Sequence, residues 1–137
     1  MPDLILGYPP NIEAIRKVFP AVEKTHGVIF SWGDKIYNPD NIPISTALYA
    51  HEAVHGSRQT ADESAILKWW STYLDDLDFR VKEEVLGHRA ELKVQLQNVA
   101  DRNKRNMLVQ QVALRVSGPI YGNALSLAAA RSLLAHL

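Results

Sequence analysis

No cysteine occurs among the 137 residues, which excludes disulfide cross-links and thiolate metal sites. Any metal the chain holds must be taken by histidine, carboxylate or water. An excess of one charge is missing as well. Fifteen Lys and Arg stand against fifteen Asp and Glu, for a formal net charge of zero, and no long block of one sign appears, which argues against a general nucleic-acid binder. Nor does any apolar run approach the roughly 18 residues of a membrane span. The opening MPDLILGYPP has neither a basic region nor a long apolar segment, so the expectation is a chain with no cleaved signal and no membrane partner. What the chain has in quantity is apolar: 47% hydrophobic residues, enough to fill one core in a single domain over residues 1–137.

The apolar spacing predicts an α+β fold that is mostly helical. Asn11 is placed to cap a short helix through Ile12, Ile15, Val18 and Phe19, closed by Pro20. Two β-rich runs, residues 28–32 and 35–37, flank Gly33-Asp34 and read as a hairpin. From Pro43 to about Gln59 the spacing becomes helical through Ile44, Ala47, Leu48 and Val54. Thr60 and Glu63 form a T-x-x-E capping box for a helix that carries Ile66, Trp69, Trp70, Tyr73 and Leu74 inward. Asp78 then caps a long helix over residues 79–101, and the run Asn103 to Asn106 marks a break or a kink. A further helix carries Met107, Leu108, Val112, Leu114 and Val116 and ends at Ser117-Gly118-Pro119. Ser126 caps the alanine-rich last one.

On the helix around residue 50 stands His51-Glu52-Ala53-Val54-His55. Histidines at i and i+4 share one helix face and can meet one ion between them, while Glu52, a quarter-circle round the axis, can reach a water on that ion. This is the geometry of H-E-x-x-H zinc hydrolases. At this chain's own His and Glu frequencies the pattern arises by chance in roughly one such sequence per hundred. Ile44, Ala47 and Leu48 share the histidine face, so both histidines are expected to point inward. A lone inward histidine is more often a hydrogen-bonded core residue than a ligand; two at ligand spacing around a glutamate reverse that preference.

A catalytic zinc usually takes three protein ligands, so a third is needed. No later histidine follows at the short metzincin spacing. Asp62 and Glu63 are explained as helix-start residues beside Thr60, and the group from Asp75 to Asp78 reads as a loop. What remains is FRVKEEVLGHRAEL, residues 79–92. Periodicity leaves Glu83 and Glu84 both open: Val81, Val85, Leu92, Leu96 and Val99 make one apolar stripe with Glu84 and His88 at its edge, and Glu83 lies within a second stripe of Phe79, Leu86, Ala90 and Val94.

The stretch Glu84-Val85-Leu86-Gly87-His88 resembles the gluzincin third-ligand motif, in which a glutamate is followed at +3 by a small residue and at +4 by a polar one. More widely, the succession VIFSWGDKIYNP, LYAHEAVHGSRQ, WWSTYLDDLDFRVKEEVLGHRAE and SGPIYGNALS resembles small zincin-like metallopeptidases encoded by tailed phages and prophages. The resemblance implies a minimal zincin-like fold with a small hairpin beside the active-site helix. It implies one Zn2+ held by His51, His55 and Glu84, with Glu83 the fallback, and a small Gly87 that lets the second helix pack close to the first. His88 stands where Asp, Asn or Tyr is usual. The implied reaction is peptide-bond hydrolysis, in which Glu52 takes a proton from the metal-activated water and delivers it to the leaving amine. His88 and Tyr121 are candidate oxyanion donors, against a supporting hydrogen bond for His88 and turn packing for Tyr121. The expected partners are protein or peptide substrates, other phage proteins among them, in the host bacterial cytoplasm or the virion. The alternative is a virion structural or assembly protein that keeps the fold and the metal but cuts nothing. The intact Glu52 favours the enzyme, since a structural zinc has no need of a general base. Trp69 and Trp70 read as core and rim residues, and His26 and His136 as solvent-facing.

Overall fold

At Gly33 the backbone takes φ +57°, a left-handed value that glycine adopts without steric penalty and that suits the first central position of a two-residue hairpin turn. The computed structural model, which describes residues 2–60, 62–118, 123 and 125–134, pairs Phe30–Trp32 with Lys35–Tyr37 in antiparallel fashion, Trp32 opposite Lys35. The expected hairpin is therefore present, with a first strand that starts at Phe30 rather than Val28. A third strand, Asp3–Ile5, joins Lys35–Tyr37 in parallel. In chain order these are β1 (Asp3–Ile5), β2 (Phe30–Trp32) and β3 (Lys35–Tyr37), and the sheet order is β1-β3-β2. The sheet is accompanied by six α-helices among the described residues, an α+β, mostly helical fold. No helix among them is long and apolar enough to cross a membrane.

The chain's contacts gather into two compact units, residues 1–44 with 52–75 and residues 45–51 with 76–137. The division falls inside one helix, between His51 and Glu52.

The first unit holds the sheet, with Ile36 of β3 fully buried and Phe30 and Trp32 of β2 nearly so. Strand β1 had no signature in the sequence because Asp3 and Leu4 are both exposed. It exists through pairing: Asp3 N–H donates to Asp34 O at 2.8 Å and Asn38 N–H to Ile5 O at 2.8 Å. Helix α1 (Ile12–Val18) buries Ile15. Asn11 stands at its N-terminal boundary without a capping side-chain bond, and Pro20 opens a short 3-10 helix, Pro20–Lys24, instead of merely closing the segment. A fixed φ and a missing N–H suit proline to a first helical position. Helix α2 (Thr46–Gln59) contributes its second half to this unit. Helix α3 (Glu63–Asp75) buries Ile66, Trp69 and Trp70, with Trp69 stacked on Tyr73 at 5.0 Å between ring centroids. The expected capping box is not formed. Thr60 lies at φ +66°, and Asp62 caps α3 by accepting from Ser64 N–H at 2.9 Å, an Asx cap one step closer to the helix.

The second unit is helical. Asp76, not Asp78, caps α4 (Leu77–Leu96), accepting from Phe79 N–H at 3.1 Å. This helix stops at Leu96 rather than running to residue 101: Asn98 turns left-handed at φ +63°, and Asp101 caps a new helix, α5 (Arg102–Val116), accepting from Asn103 N–H at 2.8 Å. The expected break at Asn103 to Asn106 is thus the opening of α5, and the real break lies five residues earlier. Arg105 reaches back to the end of α4, donating to Leu96 O at 3.1 Å and Val99 O at 2.8 Å. Ser126 caps α6 (Leu127–Leu134) as expected, accepting from Ala129 N–H at 3.1 Å. The core joins Val81, Val85, Leu92 and Leu96 of α4 to Val112, Ala113 and Val116 of α5 and Ala130 and Leu134 of α6. Met107 and Leu114, expected inside, are more than half exposed; Val112 and Val116 are buried as expected, and Ala113 joins them.

Candidate metal centre

Helix α2 begins where Ser45 Oγ accepts from Leu48 N–H at 3.1 Å, and no glycine interrupts it before the motif. His51 and His55 then fall one turn apart and are 6% and 3% exposed, inward as the spacing required. Glu52 is half-buried.

In the second unit His51 is held at both ring nitrogens. Its Nε2 lies 3.0 Å from Glu84 Oε2 and its Nδ1 lies 3.1 Å from Glu91 Oε1. Both carboxylates come from α4 and both are buried. Glu83 is buried too, so both candidate glutamates are drawn inside, and Glu84 is the one that meets His51. Gly87 makes the approach feasible. A Cβ built on it would stand 2.8 Å from His51 Nε2 and 2.9 Å from Cδ2, closer than any side chain tolerates. The small residue of the E-x-x-G pattern therefore has its physical reason: the imidazole occupies the volume a methyl group would fill.

His88, one turn beyond Glu84, packs edge-to-face on His51 at 4.6 Å between centroids. Its Nδ1 lies 3.5 Å from Glu91 Oε1 and its Nε2 lies 3.9 Å from Glu84 Oε2. Burial pushes its pKa down, and the hydrogen bond to Glu91 only partly offsets this. Glu91 shows the reverse balance. Burial alone would raise its pKa, but hydrogen bonds from His51, His88 and Arg115, with the Arg115 charge, hold it well below the usual carboxylate range. Arg115 comes from α5 and donates to Glu91 Oε2 at 2.9 Å.

The donor set suits a divalent cation. Two donors each 2.0–2.1 Å from a tetrahedral zinc stand about 3.3 Å apart, and the 3.0 Å between His51 Nε2 and Glu84 Oε2 is close to that. His51, His88 and Glu91 also bring three ligand atoms within 4.8 Å of one another. The described residues thus contain a buried His and Glu cluster that can hold a metal ion, and nothing in it dictates which metal.

No family model, curated protein or solved structure matches the chain.

In the first unit the other half of the motif meets the hairpin. The Ser31 hydroxyl, at the centre of β2, bonds Glu52 Oε2 and lies 3.2 Å from the Glu52 carbonyl oxygen. The strand is tied in place by its neighbours. Gln59 accepts from Gly33 N–H at 2.7 Å and donates to Ser31 O at 3.3 Å, and Trp70 Nε1–H donates to the same carbonyl at 3.0 Å. Gly56, directly after the motif, lets helix and turn touch: a Cβ there would stand 2.2 Å from Gly33 O. His55 lies against Trp69 with 5.5 Å between ring centroids. Trp69 and Trp70 belong to the core, as expected, and His26 is exposed. Tyr121 and His136 lie outside the described residues.

Sequence reasoning passed over Glu91, Arg115, Ser31, Gln59 and Gly56. For Glu91 a signal existed, since Glu84, His88 and Glu91 fall at 0, +4 and +7 and so share a helix face. Arg115, 24 residues further on, and Ser31, 21 residues before Glu52, left none.

Proposed function

We propose that the chain is a zinc-dependent metallopeptidase in which His51, His55 and Glu84 hold one zinc ion and Glu52 is the general base. The observation that carries this reading is His51 Nε2 facing the Glu84 carboxylate at 3.0 Å over a glycine whose missing Cβ leaves room for the ring. His55 supports it from one turn further along the same face of α2. Zinc at these residues would supply Lewis acidity, polarising the scissile carbonyl and acidifying a water. Glu52 would be the base for the attacking water and would return the proton to the leaving amine. Ser31, bonded to Glu52 Oε2, holds that carboxylate in place. His88 acts by packing against His51 and bonding Glu91 rather than by touching substrate.

Elemental analysis of protein purified without chelator tests the reading. The expected result is about one zinc per chain in the wild type, retained in Glu52→Gln and weakened in Glu84→Ala. Cleavage of an unfolded protein such as casein is expected in the wild type and abolished by Glu52→Gln. A wild-type protein that takes up no zinc overturns the metal assignment; zinc without cleavage of casein or of co-encoded phage proteins favours the structural alternative.

A further inference from the structure

His51 stands between two carboxylates, and its two nitrogens offer a metal two different homes. On one side Nε2 faces Glu84 at 3.0 Å; on the other Nδ1 faces Glu91 at 3.1 Å. The second side is as well provided as the first, because His51, His88 and Glu91 bring three ligand atoms within 4.8 Å, the number of protein ligands a catalytic zinc takes. A neutral imidazole carries one N–H and one lone-pair nitrogen, so it can give only one of the two to an ion. Something must fix one nitrogen as the donor to the protein and leave the other for the ion.

The distinguishing feature is Arg115. Its guanidinium donates to Glu91 Oε2 at 2.9 Å, and its side chain is 52% exposed while that of Glu91 is 7% exposed. A half-exposed cation thus reaches in from α5 to a buried anion on α4. Arginine carries its charge at every physiological pH, so Glu91 is neutralised permanently. A carboxylate already paired with a guanidinium attracts a second cation less strongly and serves as a hydrogen-bond acceptor for an imidazole N–H, the role that outer carboxylates play toward metal-bound histidines.

We infer that Arg115 is a positioning residue that selects between the two ligand sets: by binding Glu91 it makes that carboxylate the anchor for His51 Nδ1–H, which turns Nε2 toward Glu84 as the coordinating atom. The inference rests on the zinc reading above and adds to it a determinant outside the ligands themselves. It assigns Glu91 an orienting role and makes the His51, His88 and Glu91 set a latent site suppressed by charge.

The test uses the full chain, zinc affinity by chelator competition and the visible spectrum of the cobalt-substituted protein. Arg115→Met keeps an apolar stem of similar length and removes the charge. It is expected to weaken zinc binding about 10–100-fold and to change the cobalt spectrum, whereas Arg115→Lys restores most of both. The decisive arm is the Glu84→Ala background. Adding Arg115→Met there is expected to tighten zinc binding at least tenfold, as the released Glu91 and His88 take the ion, and His88→Ala is expected to abolish that gain. A merely structural arginine could weaken binding but could not produce this rescue. An unchanged affinity and spectrum in Arg115→Met, or no gain in the Glu84→Ala, Arg115→Met double variant, overturns the inference while leaving the wild-type zinc site standing. A wild type that binds no zinc overturns the inference and the metallopeptidase reading together.

Discussion

The five-residue motif is supported differently on its two sides. In the unit of residues 45–51 and 76–137, His51 is held by ionisable side chains: it meets two buried glutamates and packs on a second histidine, and an arginine bonds one of those glutamates. In the unit of residues 1–44 and 52–75, Glu52 is met by a strand hydroxyl, and the strand is tied through main-chain groups of Ser31 and Gly33 by Gln59 and Trp70. Each side also contains a glycine at its tightest contact. Gly87 makes room for an imidazole and Gly56 for a carbonyl. The lesson is that close packing serves different ends: on one side it seats an imidazole, on the other it fixes backbone against backbone.

The glycines break the comparison most sharply. In Gly56→Ala the new Cβ would stand 2.2 Å from Gly33 O, a backbone atom that cannot swing aside, so stability is expected to fall by about 3 kcal/mol or more, read by urea unfolding. In Gly87→Ala the obstructed group is a ring that can tilt. The expected loss is about 1–3 kcal/mol of stability, accompanied by at least a tenfold loss of zinc affinity in chelator competition that Gly56→Ala, where it folds, does not show. Gln59→Ala removes the acceptor for Gly33 N–H, a buried bond of 2.7 Å. A stability loss of about 1–3 kcal/mol is expected, with zinc affinity unchanged in the same competition assay.

The smallest effect belongs to the charged side alone and is read by pH, in metal-free protein. Glu91 has a folded pKa below its unfolded one, so its contribution is present above the ordinary carboxylate range and is lost as pH falls through that range and below. His88 is also lowered, from an ordinary 6.5. The unfolded chain then takes up a proton that the folded one resists, and stability starts to fall as pH drops past that value. Urea midpoints measured from pH 7 down to pH 3 should decline throughout. Glu91→Gln should flatten the decline below pH 5 and leave the part between pH 7 and 5. A Glu91→Gln curve parallel to the wild type would contradict the role given to that carboxylate.

How much of this could be read beforehand follows from the range of each interaction. His51, Glu52 and His55 announce themselves because one helix turn brings them together. The hairpin is written in Gly33-Asp34 and its flanking β-branched and aromatic residues. Gly87 and Glu84 were reached by resemblance, and the close contact between Gly87 and His51 supplies the steric reason. Elsewhere local rules competed. Thr60 and Glu63 offered a capping box, but Asp62, nearer the helix, took the cap. Asp78 offered a cap and Asp76 supplied it. Strand β1 depends on hydrogen bonds to residues more than 30 positions away, and the link from Arg115 to Glu91 crosses from one helix to another; such pairings leave no periodicity to find.

Thr60 carries a practical consequence. It is a β-branched residue held at φ +66°, a conformation that strains L side chains by roughly 1–2 kcal/mol and that glycine accepts freely. Its side chain is exposed. The position just past α2 is thus a reserve of stability left undrawn by the natural residue. A Thr60→Gly background would let damaging variants of the buried histidines and glutamates be purified and weighed as folded proteins.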